Sequence, residues 1–196
     1  MYMRTKIYPG FIILAFLLSS CSVLQQTSEI KNFARCDFRL ESVSDLRMAG
    51  VNIQNKNSMS DLSFVDIAKI TTAVASNSLP VHFDLNVLAR NPNPARAAMN
   101  KLDWILLIDD IEMTRGVLME RIEIQPNSFT VFPVAMNFDL MRALSGKSGD
   151  ALLNFIFNLT GSGGKPTRVT LKAKPTIMVG STALEYPGYI TIKQDF

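Results

Sequence analysis

The chain has 196 residues, with 20 Lys and Arg against 17 Asp and Glu, and 47% of it is apolar. A formal charge of +3 falls to about +1 if Arg4 and Lys6 leave with a leader, which excludes the strongly basic footprint of a nucleic-acid binder. The apolar content excludes an intrinsically disordered chain, and a mature length of about 175 residues suits one folded domain with its own core.

Residues 1–20 read as a leader. Arg4 and Lys6 form a positive start, and Phe11 to Leu18 is an apolar run too short to span a bilayer. Leu18-Ser19-Ser20-Cys21 then resembles the bacterial lipobox. The resemblance implies cleavage after Ser20 and acylation of Cys21 as the first mature residue. Two or more acyl chains anchor a protein stably. Ser22 stands where an Asp would resemble an inner-membrane retention signal. The expected location is therefore the cell envelope, lipid-anchored in the outer membrane and facing the periplasm. Residues 21–33 are expected to form a tether.

A single folded domain is expected over 34–196. Cys36, Phe38 and Leu40 share one face of a strand over 35–43, so Cys36 reads as a small core residue. A second strand is expected over 46–54. A helix follows near 61–76, started by the Ser63-x-x-Asp66 capping pattern and carrying Leu62, Val65, Ile70 and Val74 as an apolar stripe.

The central stretch is the most regular. Leu79, Val81, Phe83, Leu85, Val87 and Ala89 alternate with Pro80, His82, Asp84 and Asn86, the mark of a strand with one buried face. Two X-Pro steps in Asn91-Pro92-Asn93-Pro94 end that strand at a corner. Leu102, Trp104, Leu106 and Ile108 share a face of the next strand, and Asp109-Asp110 suits a tight turn. Gly116 interrupts the returning strand, about 111–119, which points to a bulge or a close backbone approach. Phe132, Val134, Met136, Phe138 and Leu140 line one side of a strand over 130–140. Short connections between alternating strands predict a mainly β chain: an antiparallel β-sandwich of the immunoglobulin or fibronectin III type, with one or two packed helices.

Beyond it, Leu152, Leu153, Phe155, Ile156, Phe157 and Leu159 would cover nearly the whole circumference of a helix near 149–159. Val169, Leu171 and Ala173 alternate with Arg168, Thr170, Lys172 and Lys174 in a further strand, continued past Pro175 by residues 177–179. A last strand is expected over 189–193.

The ordered set Asn91-Pro92-Asn93, Leu102, Trp104, acidic turn and Gly116 resembles the water-stress and hypersensitive-response domain of group 2 late-embryogenesis-abundant proteins and similar bacterial lipoproteins. That family usually has Asn-Gly where this chain has Asp109-Asp110, and often Tyr where it has Trp104. The resemblance implies a sandwich without a catalytic site.

Candidate chemistry is sparse. Gly146-Lys147-Ser148 and Gly163-Gly164-Lys165 lack the earlier Gly of a phosphate loop, because Met141 and Leu159 occupy that position, so no nucleotide is expected. His82 is the only histidine and faces outward. Asp109, Asp110 and Glu112 form a wet turn rather than a cation site, and Arg168, Lys172 and Lys174 a solvated strand face. Neither a metal nor a cofactor is expected, and the chain does not read as an enzyme. The expected role is a non-catalytic binding or stress- and desiccation-protective module of the envelope, meeting the membrane through its lipid. The alternative is an envelope carrier that sequesters an apolar, lipid-like ligand beside helix 149–159. An envelope protein is the remaining partner class.

Overall fold

The computed structural model describes residues 26–56, 59–143, 168–179 and 181–195. Among the described residues there are eleven strands: β1 (Asp37–Met48), β2 (Val51–Asn52), β3 (Pro80–Arg90), β4 (Ala97–Met99), β5 (Lys101–Ile108), β6 (Ile111–Leu118), β7 (Ile122–Ile124), β8 (Phe129–Asp139), β9 (Arg168–Val179), β10 (Thr182–Glu185) and β11 (Ile190–Asp195). Helix α1 covers residues 26–34, α2 is Phe64–Ala75 and α3 is the short turn Leu140–Ala143. The expected helix 149–159 and both glycine-lysine segments lie outside the described residues.

One antiparallel sheet runs β2-β1-β3-β8, and a second runs β10-β9-β5-β6 with β11 also paired to β9. Between them lie the apolar faces that alternation predicts. Val81, Phe83, Leu85, Val87 and Ala89 of β3 are buried, as are Leu102, Trp104, Leu106 and Ile108 of β5. Phe132, Val134 and Met136 of β8 and Val169, Leu171 and Ala173 of β9 complete the core. The mainly β, antiparallel sandwich with packed helices is thus the observed architecture.

Local chemistry sets the connections. Ser63 caps α2: its Oγ accepts from the Asp66 amide at 3.2 Å and donates to the Asp66 carboxylate at 2.7 Å. Of the expected stripe on α2, Leu62 and Ile70 are buried, but Val65 is 60% exposed. The expected helix is a 3-10 turn over Met59–Asp61 followed by the twelve-residue α2.

The expected division of 35–43 and 46–54 into two strands is corrected. A single β1 bridges the expected gap and ends at Met48, with register shifts between Leu40 and Ser42 and between Ser44 and Arg47, and the rest of 46–54 turns back so that β2 pairs with the end of β1. Asp45 takes up the second shift at φ 50°. Gln54 closes the gap in the ladder: its Nε2 donates to the Val43 carbonyl, and its Oε1 accepts from the Leu46 amide, each at 2.9 Å. β-Bulges of this kind bend a strand without ending it.

The β5–β6 hairpin turns on two residues, Asp109 at φ 47° and Asp110 at φ 63°. Left-handed backbone at both central positions is the geometry that matches strand twist, and it favours Asn-Gly. Asp109 repays its strain, since its Oδ1 accepts from the Arg168 amide at 3.1 Å. Asp110→Gly should therefore raise stability by about 0.5–1 kcal/mol, because relief of left-handed strain outweighs the added chain entropy of Gly. Urea unfolding of the two proteins checks this.

Asp139 joins the end of β8 to the start of β3. Its carboxylate accepts from Ser78 Oγ at 2.6 Å, from the Leu79 amide at 3.2 Å and from the Met141 and Arg142 amides at 3.0 and 3.3 Å. Burial pushes this carboxyl up, but those hydrogen bonds outweigh it and hold the group below the usual carboxylate range. A depressed carboxyl contributes stability that is present above its unfolded pKa and lost as pH falls through the lower folded one. Stability should thus decline on acidification below about pH 4. Asp139→Asn should flatten that decline and cost about 1 kcal/mol at neutral pH, read from urea midpoints across pH.

Candidate functional site

The described residues of the ordered motif set fall into two clusters, besides Leu102 in the core. The first is the Asn-Pro-Asn corner. Asn91 is fully buried. Its Nδ2 donates to the carbonyls of Ala95, Ile124 and Gln125 at 3.0, 3.1 and 3.2 Å. Its Oδ1 accepts from the Asn93 amide at 3.0 Å and from Asn93 Nδ2 at 2.7 Å. Asn93 Nδ2 also donates to the Asn32 carbonyl in α1 at 3.1 Å, and Asn32 Nδ2 donates to the Arg96 carbonyl at 3.0 Å. The Asn91 side chain therefore joins the corner after β3 to the β7–β8 turn, and Asn93 ties that corner to the C-terminal end of α1. Only Asn or Gln offers both donors and acceptor, and the shorter Asn fits the tight corner. Pro92 holds the extended bend.

The second cluster is Trp104 against Gly116. The two are register partners across β5 and β6. A Cβ on Gly116 would lie 2.4 Å from Trp104 Cζ2 and 2.9 Å from Cε2. The glycine is thus the close approach, with the indole laid on its backbone. The bulge in this hairpin lies elsewhere, at the register shift between Leu106 and Leu107. Leu102, the remaining motif residue, is 2% exposed in the core.

Helix α1 corrects part of the tether expectation. Residues 26–34 are helical. Ile30 and Phe33 are buried, and Phe33 packs on Phe38 with ring centroids 5.2 Å apart. Glu29, 2% exposed, receives Arg96 through Nε at 3.0 Å and Nη2, and Arg121 Nη2 at 3.1 Å. Both arginines also reach Glu123, at 3.2 and 3.3 Å. Burial pushes Glu123 up, yet Arg96 and the hydrogen bonds from Arg121 and Gln125 leave it below its ordinary value. The Ile30–Phe33 spacing was the available signal in the sequence. The buried charge pairing was not visible there, because Arg96 and Arg121 lie 67 and 92 residues from Glu29.

The remaining candidates are engaged in structure. Cys36 is buried, and its thiol, pushed up to about 12 by burial and then by Asp37, stays protonated at neutral pH. His82 lies between Asn137 at 2.8 Å and Asp45 at 3.3 Å on the outer face. Glu112 pairs with Arg115, Arg168 with Asp195 and Lys174 with Glu185. Among the described residues no group of three His, Cys, Asp or Glu side chains could hold a metal ion, and no helix is long and apolar enough to cross a membrane. The void between the sheets beside Phe33, Phe38 and Phe132 is about 10 Å³, at the lower limit for one water. Leu18, Ser19, Ser20 and Cys21 lie outside the described residues.

No protein-family model matches the chain, and no curated protein matches it by sequence. Among solved structures it is similar to a protein from Archaeoglobus fulgidus, at 13% identity and TM-score 0.34, over 60% of this chain and 84% of that one. It is also similar to AT1g01470 from Arabidopsis thaliana, at 14% identity and TM-score 0.39, over 61% of this chain and 71% of that one.

Proposed function

We propose that this chain is a lipid-anchored envelope protein whose sandwich is a non-catalytic binding or protective module of the late-embryogenesis-abundant type. The observation that carries it is the pairing of Leu18-Ser19-Ser20-Cys21 with a sandwich whose ordered motif set is absorbed into the scaffold. Asn91 and Asn93 close a corner, Trp104 packs on Gly116 and Leu102 sits in the core. Such a chain presents a surface rather than a reactive cleft. The outer membrane, periplasmic side, is the proposed location, following from Ser22. Drying tolerance is the proposed physiological readout.

Cell fractionation and metabolic labelling with an alkyne fatty acid test the anchor. The wild-type chain should take up label and sediment with membranes, and Cys21→Ala should do neither. Label-free wild type, or membrane-bound Cys21→Ala, overturns lipidation at Cys21. For the protective role, cells lacking the gene should survive drying less well than cells complemented with it. Equal survival removes that role and leaves the anchor standing.

A further inference from the structure

Exposed apolar side chains are distributed unevenly over the molecule. Among the described residues, nine large hydrophobic side chains are exposed. Two of them, Phe64 and Val65, belong to α2, which adjoins the start of β3 through Ser78 and Pro80. The other seven lie toward the opposite end, where β3 finishes, spread over the outer surfaces of both sheets. Phe129 and Val131 stand on β8 opposite Arg90 and Leu88. Val117 faces Asp103 near the start of β5, and Met119 lies just past the end of β6. Met178 and Leu184 stand on the β9–β10 hairpin, which runs past Lys101. Tyr189 precedes β11 on the same side. A soluble surface tolerates scattered apolar residues, but a set weighted toward one end marks a contact face.

The chain itself indicates what covers this end. The first described residue of α1, position 26, lies five positions after Cys21, a span of at most about 18 Å. Helix α1 is pinned to this end by Asn93 and by Arg96. An acylated Cys21 therefore holds this end, and not the α2 end, against the bilayer. The chemistry fits the headgroup region: Phe129 lies beside Arg39 and Arg90, whose charges are balanced by Glu41 and Asp37, and Val117 and Tyr189 lie beside Lys101 and Lys174, which pair with Asp103 and Glu185. Aromatic rings and arginine stems favour that boundary.

We propose that the α1 end is a membrane-contact face, seated at the headgroup–acyl boundary of the bilayer that carries the lipid. This rests on the anchored reading above. The test uses the acylated full-length protein reconstituted in vesicles of phosphatidylethanolamine and phosphatidylglycerol. An environment-sensitive fluorophore is placed on Met119→Cys, Phe129→Cys or, as control, Phe64→Cys. Cys21 is blocked by acylation and Cys36 is buried, so each label goes to one position. Labels at 119 and 129 should shift to the blue and lose about half their emission to lipids spin-labelled near the headgroup, while the label at 64 stays in water. Co-flotation with all three labels in water overturns the contact face and leaves the anchor intact. Failure to float overturns both. Quenching at 64 instead of 119 and 129 overturns the stated orientation. A blue shift in vesicle-free Cys21→Ala protein that grows with concentration marks a self-association face and overturns the membrane assignment.

Discussion

Asn91→Ala is expected to lower the unfolding free energy by about 3–4 kcal/mol, a large share of the stability of an ordinary domain. The side chain is fully buried, so its removal takes five hydrogen bonds with it. It leaves the carbonyls of Ala95, Ile124 and Gln125 without their donor, that of Ile124 in a buried setting. The net value of one hydrogen bond is near 1 kcal/mol, but each stranded buried partner costs about 1–3 kcal/mol. Asn91→Asp separates this account from simple loss of volume. It keeps the shape and the acceptor toward Asn93, yet turns oxygen rather than N–H toward three carbonyls. It should be at least as destabilising as alanine at neutral pH and should recover in part on acidification, when a protonated carboxyl regains one donor. Urea unfolding of the three proteins, at pH 7 and near pH 5, reads both effects. An Asn91→Ala protein within about 1 kcal/mol of wild type would show that the corner is not a keystone.

Gly116→Ala is the second. The new methyl would sit 2.4 Å from the Trp104 ring, well inside contact distance, and the indole is only 6% exposed with little room to retreat. Overpacking of this kind costs about 1–3 kcal/mol. Trp104→Leu alone should also destabilise, by about 2–4 kcal/mol, through the volume it deletes. Combined with Gly116→Ala it should cost less than the sum, because the methyl then occupies space the indole has left. A coupling of about 1–2 kcal/mol in the double-mutant cycle is expected. Strict additivity would mean that the ring does not rest on the Gly116 backbone. The same pairing rationalises a glycine in the middle of a strand, where it otherwise weakens the sheet.

Legibility in the sequence followed element length. β3 has eleven residues and β8 likewise, enough for alternation to declare a buried face. β4 and β7 have three residues each, too few for any period. All four residues of β10 are exposed, so it carries no pattern at all. The split placed in β1 followed a real irregularity, the bulge at Asp45, but a side chain from Gln54, several residues on, keeps the strand continuous. Helix α1 escaped because a tether and a helix held by a buried Glu29 differ only in partners that the fold brings from far along the chain.

Composition and the alternation of small windows by themselves determined the sheet-rich architecture, the apolar faces, the Asp109-Asp110 turn, the capped α2 and the corner at the prolines. These are short-range properties, since side-chain period and backbone preference act over a few residues. Tertiary structure alone decided what Asn91 holds together, what lies on Gly116, how α1 is pinned and which end of the molecule gathers its exposed apolar groups. Each of those depends on strand register and on groups distant in sequence, which meet only after the two sheets have closed on each other.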